Sequence, residues 1–169
     1  EVCYAGSYAT ASASSISFNH KSNVRVLDCG RVKLQEGCKC DRSVAGCGLI
    51  VWDAGSTATV AKSGLSGNHD CNVCARGAGR AELHDCECNE SAQCGLEARA
   101  SGSATATAST FRDNHRSNVW ALERGCVEVR SCKCSRSGAF GLAVYDAGNT
   151  ASATSSTIMM NGYSNVLAC

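Results

Sequence analysis

Cysteine is the residue type in this sequence with the greatest capacity for chemistry. Fourteen of the 169 residues are cysteine. Six of them form three C-x-C triplets, at Cys38, Cys40, Cys86, Cys88, Cys132 and Cys134. Thiolate-rich motifs select zinc or copper(I), whereas buried free cysteines pack as small apolar side chains. The distance between the triplets in the folded chain therefore decides whether they form a metal site or pack in the core.

An alternation of Asn and Gly divides the chain into units of 23 to 25 residues. Each unit opens with Asn or Gly followed by Val or Leu, and the openings are Asn23, Gly48, Asn72, Gly95, Asn118, Gly141 and Asn165. A fixed period of this length indicates a solenoid. Asn and Gly are the residues that most readily accept a left-handed backbone. The openings are therefore predicted to be sharp corners that lead into inward-facing strands.

Within each unit, apolar and polar residues alternate, as they do on β-strands. Val32 and Leu34 alternate with Arg31, Lys33 and Gln35. Units with a C-x-C triplet alternate with units rich in Ala and Thr, which makes a repeat of about 47 residues. The chain has no proline and only 5% aromatic residues, as expected for a narrow core inside continuous strand ladders.

This pattern resembles the right-handed parallel β-helix family, which includes pectate lyases and polygalacturonases. The resemblance covers essentially the whole chain, through its Asn/Gly openings, its apolar alternation and its period, but it includes no active-site motif. It implies an all-β, single-stranded parallel solenoid of about seven coils, with residues 1–169 forming one domain of a longer repeat array. A left-handed β-helix is the alternative, but its hexapeptide rhythm is not visible.

In such a solenoid the C-x-C triplets lie on alternate coils, roughly 9.6 Å apart. This separation is too long for one tetrahedral site with Zn–S bonds of about 2.3 Å. We expect a buried cysteine column and no metal or cofactor. Cys47, Cys71 and Cys94 differ, because they end three consecutive coils. A coil spacing of ~4.8 Å would permit a disulfide from Cys71 to either neighbour.

Most cysteines have no cysteine on the adjacent coil, which favours a reducing or organellar compartment and leaves an extracellular one open. The formal net charge is +1, so no strong field attracts nucleic acid or an anionic membrane. No apolar stretch has the roughly 18 residues that a membrane span needs. Nucleic-acid binding and a direct membrane span are therefore not expected.

Catalysis in the resembled family uses acidic residues gathered on adjacent coils. Here Asp53 and Asp146 are four coils apart and are interpreted as turn residues, as are His20, His69 and His115. No catalytic residue is predicted. The sequence favours a non-enzymatic scaffold that binds other protein subunits, or further copies of itself, through its end coils and lateral faces.

Three other functions remain open. Binding or cleavage of polysaccharides is the first alternative, because enzymes of the resembled family act on these polymers. Metal binding by the cysteines is the second. Ice binding is the third, since Thr57, Thr59, Thr105 and Thr107 share one predicted face, although charged coils interrupt the threonine rows.

Overall fold

The computed structural model describes residues 1–169 as nineteen strands and no helix. In chain order the strands are β1 (Tyr8–Ser12), β2 (Val24–Val26), β3 (Arg31–Gln35), β4 (Leu49–Trp52), β5 (Thr57–Ala61), β6 (Gly64–Ser66), β7 (Val73–Arg76), β8 (Arg80–His84), β9 (Glu87–Asn89), β10 (Cys94–Arg99), β11 (Ser103–Thr107), β12 (Thr110–Arg112), β13 (Ser117–Ala121), β14 (Cys126–Arg130), β15 (Lys133–Ser135), β16 (Phe140–Val144), β17 (Thr150–Thr154), β18 (Thr157–Met159) and β19 (Ser164–Ala168). Each strand pairs in parallel with the equivalent strand one turn away, as β11 does with β8 and β14. The chain is a parallel β-solenoid of about seven turns.

Three parallel sheets run along the solenoid. Sheet I contains β2, β4, β7, β10, β13, β16 and β19, and sheet II contains β1, β3, β5, β8, β11, β14 and β17. Sheet III contains β6, β9, β12, β15 and β18. The register is constant from turn to turn, so that Ala104 pairs with Ala81 on one side and Val127 on the other. Equivalent residues therefore stack in columns.

The main core is a narrow column of apolar side chains enclosed by the three sheets. Strand β3 shows how the sequence builds it: Val32 and Leu34 are buried, while Arg31 and Lys33 are exposed. The core contains 29 buried residues, mostly Val, Leu, Ala and Cys. Phe111 is its largest fully buried side chain. Strand alternation and a small cross-section together account for the low aromatic content.

The prediction of left-handed corners at the Asn and Gly openings is wrong. No residue at an opening has a positive φ. These residues are Asn23, Gly48, Asn72, Gly95, Asn118, Gly141 and Asn165. Left-handed residues instead occupy the turns between sheets, as Lys62, Asp85 and Ala108 do between sheets II and III. The alternation of Asn and Gly therefore has a different physical cause.

That cause is a continuous ladder of asparagine side chains. The asparagine ladder consists of Asn19, Asn23, Asn68, Asn72, Asn114, Asn118, Asn161 and Asn165. Each Nδ2 donates to the Oδ1 of the next member at 2.8 to 3.3 Å. The same amide groups also donate to the backbone, as Asn114 does to the Cys88 carbonyl at 3.0 Å. Buried amides require such partners, because an unpaired one costs about 1–3 kcal/mol.

Glycine occupies the intervening coils because the ladder fills the space that a side chain would need. A Cβ on Gly95 would lie 2.7 Å from Asn114 Nδ2, and one on Gly48 would lie 2.6 Å from Asn68 Nδ2. Each pair of asparagines is hydrogen-bonded to the pair two coils away, so the coil between the two pairs must carry Gly. The two-coil repeat follows directly from the length of the asparagine side chain.

We predict that Gly95→Ala lowers the free energy of unfolding by about 1–3 kcal/mol, because the added methyl overpacks a buried polar network. Gly64→Ala is the matched control, since no atom lies within 4 Å of its Cβ position and a strand alanine is favoured over glycine by roughly 0.5–1 kcal/mol. Urea unfolding of the two variants measures both effects. Equal stability of the two variants would contradict the role of the ladder.

Candidate functional site

The C-x-C cysteines lie inside the main core and are free. The Cys86 thiol donates to the Val60 carbonyl at 3.4 Å. On neighbouring coils Cys88 pairs with Leu65 and Phe111, so no second triplet adjoins it. Burial raises the pKa of Cys134 to about 12. Because apolar side chains surround these thiols and a full coil separates each triplet from the next, the C-x-C cysteines pack as small apolar residues.

We predict that alkylation under native conditions separates the cysteines by location. Cys29, Cys126 and Cys169 are exposed and should react with iodoacetamide at neutral pH. Cys88 and Cys134 should react only after unfolding, because both are fully buried and protonated. Mass spectrometry of peptides from timed labelling measures the difference. Labelling of Cys88 as fast as that of Cys126 would show that the core opens readily.

The predicted turn residues lie on the surface. His20, His69 and His115 are exposed. Asp53 and Asp146 occupy turns with φ of 76° and 70°. They are four coils apart, about 19 Å at ~4.8 Å per coil, and so do not form a carboxylate pair.

Sheet I differs from the other sheets because its strands are buried on both faces. One column of side chains points away from the main core and is still at most 7% exposed. It consists of Ile50, Cys74, Glu97, Trp120 and Ala143. They pack against Cys47, Cys71 and Cys94 in a second, smaller apolar cluster. We call these eight residues the outer cluster. It places four thiols and a carboxylate together on one side of sheet I.

Hydrogen bonds connect the thiols of the outer cluster to two carboxylates. Glu97 accepts from Cys71 through Oε2 and from Cys74 through Oε1, each at 3.5 Å. Asp70, which is exposed, accepts from Cys47 at 3.7 Å and from Cys71 at 3.8 Å. Two acids from adjacent coils therefore meet at one thiol. The expectation that acidic residues do not converge is wrong for this pair.

Burial sets the protonation of this cluster. It raises the pKa of Glu97, while Arg99 and the two thiol donors lower it; the Arg99 Nε lies 3.6 Å from Oε1. Hydrogen bonding to Cys47, together with burial, raises the pKa of the Cys74 thiol well above its ordinary value. The Cys47, Cys71 and Cys74 thiols, whose pKa values are all raised, are thus neutral donors. Glu97 has one partly exposed guanidinium, that of Arg99, as its countercharge.

The column of Cys47, Cys71 and Cys94 contains no disulfide, and all three residues are free. The three cysteines pack in one cluster. The Sγ atoms of Cys71 and Cys94 and a carboxylate oxygen of Glu97 lie within 4.8 Å of one another. The structure thus brings together the one cysteine column that the sequence singled out for its spacing.

Sequence reasoning missed Cys74, Glu97 and Asp70. Cys74 and Glu97 occupy outward positions of strands, where alternation predicts exposure to solvent. The available signal was the unbroken apolar run Leu49–Trp52 and its counterpart Val73–Arg76, because strands buried on both faces do not alternate.

Arginine and aromatic side chains cover the outer cluster. Arg76 lies 4.0 Å above the Trp52 ring and Arg116 lies 3.7 Å above the Trp120 ring. Trp120 also meets Tyr145 edge-on, with ring centroids 5.7 Å apart. Such residues dominate binding energy at protein interfaces.

Comparison with known proteins identifies the family. The family model described as "Right handed beta helix region" matches residues 47–168. The chain belongs to the right-handed β-helix family. The predicted fold and hand are thereby confirmed, and the matched segment contains the whole outer cluster. No curated protein matches the chain. The structure contains no helix with the length and hydropathy needed to cross a bilayer.

Proposed function

We propose that this β-helix is a non-enzymatic scaffold that binds other protein subunits, or further copies of itself, through its end coils. The distribution of exposed apolar side chains carries the proposal. Nine large apolar residues are exposed, and seven of them lie on the first or last coil: Tyr4, Tyr8, Phe18, Met159, Met160, Tyr163 and Val166. Side chains of this kind are stabilised when a further surface covers them.

The backbone at both ends supports the same proposal. Sheet II ends in strands that pair on one side only, β1 at the first coil and β17 at the last. The free edge can accept a strand from another coil. At the first coil, Ala11 and Ile16 border an opening that reaches Val24 and Leu34 of the main core. An added coil would complete the ladders and bury these apolar residues together.

The outer face of sheet II is a less suitable contact surface. Its charged coils carry internal ion pairs, Arg80 with Glu82 at 2.7 Å and Arg130 with Glu128 at 2.6 Å. Exposed ion pairs of this kind contribute at most ~1 kcal/mol to stability, because water already solvates both charges. Association is therefore expected along the solenoid axis more than across this face.

We predict concentration-dependent association in sedimentation velocity. Tyr8→Lys and Met160→Lys should each weaken it, because they place a charge on an end coil and leave the central coils intact. Val44→Lys is the matched control, since Val44 is 52% exposed but lies on the second coil, which the first coil covers. A monomer at every concentration, or equal effects of all three substitutions, would contradict end-to-end association.

The proposal also predicts that the chain does not cleave pectin or alginate. Asp53 and Asp146 are farther apart than the 6.5–9.5 Å or so that separates the carboxylates of inverting glycosidases. Glu97 is buried beneath thiols and Arg99. Reducing-end and unsaturated-product assays measure both kinds of cleavage. Activity that is abolished by Asp70→Asn or Glu97→Gln would show that the chain is an enzyme.

One observation favours polysaccharide binding as a second candidate function. Trp52 is 39% exposed and its ring is flanked by Arg76, a pairing that suits an acidic sugar polymer because guanidinium groups bind carboxylates in bidentate fashion. Retarded migration in gels that contain polygalacturonate, reversed by Trp52→Ala, would support this function. Migration that is the same with and without polygalacturonate would contradict polysaccharide binding.

A further inference from the structure

Three donor atoms of different residues meet inside the outer cluster. The Sγ atoms of Cys71 and Cys94 and a carboxylate oxygen of Glu97 lie within 4.8 Å of one another, and all three residues are buried. Thiolates around a tetrahedral zinc, with Zn–S bonds of about 2.3 Å, stand about 3.7 Å apart. Small side-chain rotations would therefore bring these donors to coordination distance.

Two more thiols adjoin this group. Cys74 Sγ lies 3.5 Å from Glu97 Oε1. Cys47 packs in the same cluster, and its Sγ lies 3.7 Å from Asp70 Oδ2. A structural zinc site needs four ligands. Besides the three donors that lie within 4.8 Å of one another, the outer cluster contains the thiols of Cys47 and Cys74, and either of them would have to move closer to complete a tetrahedron.

Unsatisfied polar atoms also occur on this side of sheet I, although the N–H groups among them are hydrogen-bond donors and cannot bind a cation. The buried side-chain nitrogen and oxygen atoms without a hydrogen-bond partner are Arg76 Nε, Arg99 Nε, Ser117 Oγ and Trp120 Nε1. All four belong to the outer side of sheet I. Ser117 is 1% exposed and is the ladder partner of Cys94. Its hydroxyl has no partner within the chain and would be available as an outer-shell donor to a Cys94 thiolate.

Carboxylates and guanidinium groups both adjoin the cluster, with Arg99 beside Glu97 and Arg76 stacked on Trp52. Glu97 and Asp70 both contact Cys71, while Arg99 is the one ion-pair partner of Glu97. Asp70 is exposed and lies within 3.8 Å of the Cys71 thiol, so it marks a route from solvent to the buried donors.

We propose that the outer cluster is a zinc site, with Cys71, Cys94 and Glu97 as ligands and a fourth thiolate from Cys47 or Cys74. A carboxylate among thiolates favours Zn²⁺ over copper(I), which selects soft sulfur ligands. Each coordinating thiol releases its proton to solvent on binding, and no electron is transferred. The site would tie three consecutive coils together from outside the main core, in addition to any scaffold role.

Titration of the reduced chain with Co²⁺ and then Zn²⁺ tests this proposal. We expect one ion per chain, a thiolate-to-cobalt charge-transfer band and its loss when Zn²⁺ displaces Co²⁺. Cys94→Ser and the isosteric Glu97→Gln should weaken Zn²⁺ binding by at least about 10–100-fold, the loss seen when an outer-shell partner alone is removed. Cys47→Ser and Cys74→Ser identify the fourth ligand, because only one of them should weaken binding to the same degree.

Cys86→Ser and Cys132→Ser are matched controls, because these buried thiols belong to the main core and should leave binding unchanged. Circular dichroism shows which variants retain the fold, and Glu97→Gln keeps the test decisive if a cysteine variant unfolds. Absence of stoichiometric Co²⁺ binding, or unchanged Zn²⁺ affinity in Glu97→Gln, overturns the proposal. So does a Cys47–Cys71 or Cys71–Cys94 disulfide that persists in the purified chain. A chain that binds zinc but stays monomeric would support this site and contradict the scaffold function.

Discussion

The asparagine ladder is the interaction on which the rest of this structure depends. Asn72 and Asn114 are fully buried, and their amides bond to each other although 42 residues separate them in sequence. Buried amides must be paired, so the ladder fixes how each coil sits on the next. It also requires glycine on the intervening coil, and so sets the two-coil period of the Asn and Gly openings.

Sheet I has polar or reactive side chains on both of its faces, the asparagine ladder on one and the outer cluster on the other. The asparagine ladder runs beside the main core, where every amide is paired within the chain. The outer cluster on the opposite face contains Cys71, Cys94 and Glu97, together with buried polar atoms that have no partner. The fully paired network specifies the fold, whereas the outer cluster is the place where we propose a zinc site.

The fold could be predicted from the sequence because its period is imposed by residues that are easy to recognise. The physical meaning of that period could not, since an Asn–Gly alternation is equally typical of left-handed corners, and only the packing of Gly95 against Asn114 distinguishes the two. The outer cluster was partly accessible through the spacing of Cys47, Cys71 and Cys94. Glu97 was not, because strand alternation places it in solvent, and its burial depends on side chains from neighbouring coils.

Hydrogen exchange of side-chain amides tests the central role of the ladder most directly. NMR of the chain labelled with ¹⁵N-asparagine would follow the Nδ2 protons of Asn72, Asn114 and Asn118, with the partly exposed Asn149 as the internal reference. Our account predicts that the three ladder amides exchange as slowly as the backbone of the central strands, because they open only when coils separate. Exchange as fast as that of Asn149 would contradict it.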